Sequence, residues 1–258
     1  MTWIAQLTDL HLDGNPPADT RFDLVASWLE RLSPGVDGIV LSGDVIELRG
    51  IEDPGAVYAA LARRLTAIAP VLVIPGNSDD PESLAQAFPS PERWGVPAAG
   101  ANGSMVAGDA VAVIGLDSSI PGRYEGRLSD STLAWADEVL SNVPAGMPVL
   151  VALHHPPIAL GHTMIDGLRL ENPDSLAELV ERHPSVIGLL AGHTHGGTAA
   201  VFTGKPLIVA PGVHSGMRLE QESGGAASGP LDTDVPPAVA LHRIEDGTLV
   251  THFRSIAG

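Results

Sequence analysis

The sequence predicts an α/β protein in which two mixed sheets are flanked by helices, and three observations carry that expectation. Short apolar runs ending in polar punctuation recur along the chain, the pattern of strands buried on both faces. Helix-like stretches separate the first of these runs, so strand and helix alternate early. The last part of the chain instead alternates residue by residue between Gly and Asp turns, in strand fashion.

The runs are WIAQL before TDLH, GIVL before SGD, VLVI before PGNSD, VAVIGL before DSS, PVLVAL before HHPP and VIGLL before AGHTH. Among the first of them the spacing predicts helices over about 20–32 and 54–69, with another near 80–88. Two amphipathic stretches follow, at 129–142 after a Ser129 cap and at 173–182 after Asn172 and Pro173. TAAVFTG, KPLIVA, PAVALHRIE and GTLVTHF then read as strands. The segment 219–237, rich in Gly, Ser, Pro and acid, is expected to be a flexible surface loop or an oligomer contact without chemistry of its own. With 258 residues, 44% of them hydrophobic, the chain is expected to be a single domain over 1–258.

The net charge of −17 opposes coating of nucleic acid or adhesion to an anionic membrane. An anionic substrate must therefore be drawn in by local positive charge. The absence of cysteine excludes disulfides, thiolate metal sites and cysteine nucleophiles. No basic leader followed by a long apolar stretch is present and no membrane-length apolar run, so the expected address is the cytoplasm.

The informative feature is where the polar residues fall. Asp9, His11, Asp44, Asn77, Asp79, His154, His155, His193 and His195 all lie just after apolar runs, and the carboxyl ends of strands are where open α/β sheets bind ligands. Singly, each has an ordinary structural reading as a cap, a turn residue or a hydrogen-bonded interior histidine. Five such motifs, each at a strand end, are hard to obtain from independent capping needs. Carboxylate, amide oxygen and imidazole without sulfur suit Mn²⁺, Fe²⁺ or Fe³⁺, Zn²⁺ or Co²⁺ better than an all-oxygen Mg²⁺ or Ca²⁺ cage. Seven ligands exceed the needs of one tetrahedral ion, whereas a bridging carboxylate can join two divalent metal ions and a hydroxide between them becomes a nucleophile near neutral pH.

TDLH, SGD, PGNSD, ALHHPP and AGHTH, in this order from residue 8 to 195, resemble the signature of the calcineurin-like metallophosphoesterases. GNSDD, LDSSIPGRYEGRLS, LHHPP and GHTH resemble most the class III cyclic-nucleotide phosphodiesterases of bacteria. The resemblance implies a four-layered α/β/β/α sandwich. It implies that Asp9, His11 and His195 hold one metal, that Asn77, His154 and His193 hold the other, and that Asp44 bridges them. His155 is then expected behind the ligands or facing substrate, and Asp79 is expected to orient a ligand. The reaction implied is hydrolysis of a small phosphodiester, cyclic nucleotides included. Phosphomonoesters and glycerophosphodiesters remain alternatives on the same site.

One position departs from the family pattern, since Ser78 stands where the family carries a substrate-facing histidine. A serine hydroxyl can donate a hydrogen bond to a phosphoryl oxygen but cannot act as an acid at neutral pH. Three readings stay open: His155, His162 or Arg123 takes over the contact; the enzyme serves a different leaving group; or the chain is a weakened homologue that binds metal and phosphate. Arg123 and Arg169 are candidates for pairing with phosphate. A zinc hydrolase of carbon esters is the remaining class, disfavoured by the lack of a helix-borne His-Glu-x-x-His. His183, His214, His242 and His252 lack motif context and are read as structural. Expected partners are a small anionic phosphoester and, through exposed strand edges, a second copy in a homodimer.

Overall fold

The computed structural model describes residues 1–108, 110–222 and 231–257, and the apolar runs singled out above form strands in it. The first half of the chain runs β1 (Thr2–Leu7), α1 (Pro16–Glu30), β2 (Gly38–Ser42), α2 (Pro54–Thr66), β3 (Val71–Ile74), α3 (Pro81–Ala87), β4 (Gly103–Ala107) and β5 (Val111–Leu116). It continues through α4 (Asp130–Asn142), β6 (Val149–Leu153), α5 (Thr163–Asp166), α6 (Pro173–Arg182), β7 (Val186–Ala191), β8 (Thr198–Phe202) and β9 (Lys205–Val209). The short β10 (Gly216–Met217) and β11 (Leu231–Asp232) and the long β12 (Ala238–Glu245) and β13 (Thr248–Ser255) complete it.

One sheet has the order β13-β12-β1-β2-β3 and the other β4-β5-β6-β7-β9-β8. In each, parallel strands sit beside antiparallel ones: β1, β2 and β3 are parallel in the first, and β5, β6, β7 and β9 in the second. The period-2 alternation of side chains assigns the layers. Ala5, Leu7, Ile39 and Leu41 face α1 and α2, while Ile4, Val40, Leu72 and Ile74 meet Val113, Leu150, Ala152 and Leu190 between the sheets. On the far side, Ile114, Val151, Leu153 and Leu189 pack against Trp135, Val139, Leu176 and Leu179 of α4 and α6. Two mixed sheets between two helical layers make the four-layered sandwich.

Local chemistry explains where the boundaries differ from expectation. α1 starts four residues before the expected 20, because Pro16 and Pro17 carry a helical φ and lack N–H groups that the first turn would leave unpaired. Ser129 caps α4 as expected, accepting from Thr132 N at 3.0 Å. Asn172 does not cap α6; its side-chain amide pairs with both backbone groups of Leu128 at 3.0 and 2.9 Å. β4 was not foreseen, its buried register being supplied by antiparallel pairing with β5. Within 219–237, residues 223–230 lie outside the described residues. The flanks are held: β10 pairs with β11, and Arg21 donates to the carbonyls of Thr233 and Val235.

Candidate metal centre

Because β1, β2, β3, β6 and β7 run in one direction, the loops at their carboxyl ends gather at one rim of the sandwich. The two sheets are fastened there: Gln6 Nε2 donates to Ala191 O at 2.8 Å, and His154 Nδ1 donates to Ser42 O at 2.7 Å. Asp9 and His11 follow β1, Asp44 follows β2, Asn77 follows β3, His154 and His155 follow β6, and His193 and His195 follow β7. Asp9, His11, Asp44, His193 and His195 have φ of 53°, 43°, 49°, 72° and 56°. Non-glycine residues held in the left-handed region cost about 1–3 kcal/mol each and cluster where a function requires them. Two glycines make room: a side chain at Gly43 (φ 95°) would collide with the His154 imidazole, and one at Gly76 with the Asp44 carboxylate.

The side chains form two connected groups. In one, His11 Nε2 lies 3.3 Å from His195 Nε2, with the rings stacked at 5.1 Å, and His195 Nε2 lies 3.5 Å from Asp9 Oδ1. In the other, His193 Nδ1 lies 3.2 Å from His154 Nε2. Asp44 stands between them, Oδ2 at 3.5 Å from His11 Nε2 and Oδ1 at 3.5 Å from His154 Nε2. The ligand atoms of Asp9, His11 and His195, of Asp9, Asp44 and His154, and of His154, His155 and His193 each fall within 4.8 Å of one another.

The residues fit a pair of cations on an internal test. Asp9 Oδ1, Asn77 Oδ1 and His193 Nε2 are buried without a hydrogen-bond partner. Unpaired buried acceptors of this kind are destabilising unless something positive meets them. The protonation pattern points the same way. Burial pulls His11 and His154 down, but Glu47 and Asp44 beside the one, and Asp44 beside the other, raise both to about 9. Burial, and then the His154 charge, lowers His193 to about 4; burial and His11 lower His195 to about 3. Burial raises Asp9, whereas His154 overrides the burial of Asp44 and holds it well below the usual carboxylate range. Without cations the cluster thus collects protons to balance two buried carboxylates.

Groups behind the cluster fix its orientation. His154 Nδ1 donates to Ser42 O at 2.7 Å, which turns Nε2 toward Asp44, and Ser215 Oγ lies 2.7 Å from His195 Nδ1. Asp79, expected to orient a ligand, accepts from Val45 N, Ile46 N, Gly76 N and Tyr58 OH at 2.8–3.1 Å. It holds the backbones that carry Asp44 and Asn77. His155 is wholly buried behind the ligands, with Nδ1 2.8 Å from Ser118 Oγ and Nε2 3.2 Å from Tyr124 O, and its ring lies 4.8 Å from those of His154 and His193.

A cavity of ≈ 540 Å³ opens beside the cluster, lined by His11, Glu47, Leu48, Arg49, Asn77, Ser78, Asp79, Arg123 and Tyr124. Ser78 Oγ donates to Ile46 O at 2.7 Å, and its backbone N–H donates to Asp44 Oδ1 at 2.9 Å. Arg123 reaches the rim but is bound to Glu171 at 2.7 Å and Glu125 at 3.2 Å. His162 lies instead on a separate cavity of ≈ 200 Å³ with Thr194, Asp166 and Met217. Arg169 donates to the carbonyl of Asp166. Sequence reading missed His214, whose N–H donates to Asp9 O at 2.9 Å and whose ring meets His11 edge-on at 5.6 Å. It missed Ser215 and Arg49 as well. His214 and Ser215 follow the apolar run of β9 just as the ligands follow theirs, so the same strand-end signal marks them.

The family model described as calcineurin-like phosphoesterase matches residues 2–197. A glycerophosphodiester phosphodiesterase of Enterobacter lignolyticus is 29% identical over 239 residues, covering 90% of this chain and 81% of that protein. A probable cyclic nucleotide phosphodiesterase of a Synechococcus species is 33% identical over 200 residues, covering 74% and 72%. Among solved structures, a dimetal phosphatase from Danio rerio has the same fold, with a TM-score of 0.71 at 15% identity over 99% of this chain and 96% of that one.

Proposed function

The chain belongs to the calcineurin-like phosphoesterase family, and from that premise we propose that it hydrolyses small phosphodiesters at a site holding two divalent cations. The observation that carries this is the position of Asp44, one carboxylate oxygen turned to each imidazole group at 3.5 Å. In our reading Asp9, His11 and His195 hold one ion, Asn77, His154 and His193 the other, and Asp44 both. The donor set supports Mn²⁺, iron, Zn²⁺ or Co²⁺.

When bound, two such ions would neutralise charge developing on the phosphoryl oxygens and lower the pKa of water enough for it to attack phosphorus near neutral pH. The chain's own groups supply the rest. Asp79 locks the loops that carry Asp44 and Asn77, so the ligands are arranged before substrate arrives. At the rim, Arg49 offers positive charge to a phosphoester in a chain of net −17. His155, with both ring nitrogens engaged, acts on the positions of His154 and His193 rather than on substrate.

No helix among the described residues is long and apolar enough to cross a membrane. The outer strands β8 and β13 expose Val201 at 67% and Phe253 at 39%, which supports edge pairing in a homodimer; light scattering that returns only the monomer mass removes that part of the reading. The central test strips the protein with chelator, restores Mn²⁺, and measures initial rates on bis(4-nitrophenyl) phosphate, 3′,5′-cyclic AMP and a glycerophosphodiester. Turnover of at least one diester only with metal is expected. Metal binding without turnover of any of them would leave a binding protein in place of a phosphodiesterase.

A further inference from the structure

We propose that Arg21 on α1 is a positioning residue for one cation of the pair: it clamps the loop that supports Asp9 and His195, and so sets the affinity of the ion at Asp9, His11 and His195 independently of the other. This rests on the two-cation reading above and adds what holds one ion's ligands apart from the other's.

The loop after β9 closes over the back of these ligands. Gly212 N donates to His195 O at 3.0 Å, Val213 N to Thr8 O at 3.0 Å and His214 N to Asp9 O at 2.9 Å, and Ser215 Oγ lies 2.7 Å from His195 Nδ1. The approach is so close that a side chain at Gly212 would collide with the Ser215 carbonyl. Asp9 and His195 have φ of 53° and 56°, conformations that persist only where the surroundings over-determine them. The loop can brace them only if its outer side is fixed as well.

Arg21 fixes it. Each nitrogen of its guanidinium donates to a different carbonyl: Nε to Val213 O at 2.8 Å, Nη1 to Thr233 O at 3.2 Å and Nη2 to Val235 O at 2.8 Å. Thr233 and Val235 lead into β12, which pairs with β1, and β1 leads to Asp9. The clamp therefore closes a ring that runs from α1 through the loop and β12 back to β1. A planar fork with fixed donor directions can span two chain segments in this way, whereas an ammonium is a point donor. The residues proposed for the other ion are held by different groups. Ser42 O orients His154, and Asp79 accepts from Gly76 N beside Asn77.

The test uses the full chain, stripped with chelator and titrated with Mn²⁺ by calorimetry. Arg21→Met is expected to weaken one ion by about tenfold, the low end for loss of a group that supports a ligand from behind, and to leave the other unchanged. Arg21→Lys keeps the charge but not the fork, and is expected to weaken the same ion; full affinity in R21K would show that charge alone suffices and overturn the clamp. Ser215→Ala identifies the ion. Because both residues act through one loop, R21M is expected to cost less affinity in the S215A background than in the wild type, a coupling that separate structural roles do not produce. Equal weakening of both ions, additive effects of the two changes, or unchanged affinity in R21M overturns the inference. A wild-type chain that takes up no Mn²⁺ overturns the two-cation reading and this inference with it, an outcome distinct from two ions bound equally well by wild type and R21M.

Discussion

Asp44 stands 3.5 Å from an imidazole of each group of side chains, and Asp44→Asn keeps its shape while removing the charge. Bound metal, measured by plasma mass spectrometry, is expected to fall from two ions toward one, and diesterase activity to drop at least about 10²-fold, as lost electrostatic stabilisation predicts. Retention of two ions and full activity would sink the bridging role. Ser215 is wholly buried with Oγ 2.7 Å from His195 Nδ1, so Ser215→Ala tests positioning. It is expected to weaken the ion proposed at Asp9, His11 and His195 by about 10–100-fold in metal titrations, the usual effect of removing a group that holds a ligand from behind. Unchanged affinity would show that His195 is held by packing alone. At this scale the sequence carried much of the site: a polar residue just past an apolar run marked each candidate ligand. The sequence left open whether His155 lies behind the cluster or in front of it. Neighbouring residues at a strand end point opposite ways, and only the positions of Ser118 and Tyr124 decide which histidine faces the cluster.

β12 and β13 extend the first sheet beyond the cluster, and they carry a buried titrating group of their own. His242 on β12 lies between Gln6 Oε1 at 3.0 Å and Thr251 Oγ1 at 2.9 Å, and burial lowers it from 6.5 to about 3. The unfolded chain therefore binds a proton that the folded chain refuses between those two values. Its contribution is fully present above pH 6.5 and is lost progressively as pH falls toward 3. In urea melts across this window, the wild-type stability curve is expected to be steeper than that of His242→Gln by up to about 1.4 kcal/mol per pH unit. Parallel curves would mean that His242 is protonated in the fold. Elements were legible where periodicity was unbroken, as in β1, β2, β6 and α4. β4 was not, because the short stretch Gly103–Ala107 becomes a strand through its pairing with β5, which lies outside any local window.

For the molecule as a whole, the buried acceptors of the cluster couple metal binding to folding. At a free metal concentration of about 100 times Kd, binding stabilises by about 2.7 kcal/mol. At about 2–4 °C per kcal/mol for a chain of this size, that raises Tm by about 5–11 °C. Calorimetric scans with Mn²⁺ and with chelator are expected to differ by that much, and identical scans would show that the cluster is equally stable empty. The sequence by itself determined the α/β class, the strand ends and the kinds of donor atom gathered there, because hydrophobic period and strand-end chemistry are local properties of the chain. Tertiary structure alone decided the rest: that Ser78 spends its proton on a neighbouring loop, that His155 lies behind the cluster against Ser118 and Tyr124, and that Arg123 is bound by Glu125 and Glu171. Those outcomes depend on which loops of two different sheets meet at one rim, and such distances are set by packing across the sandwich, where sequence separation carries no information.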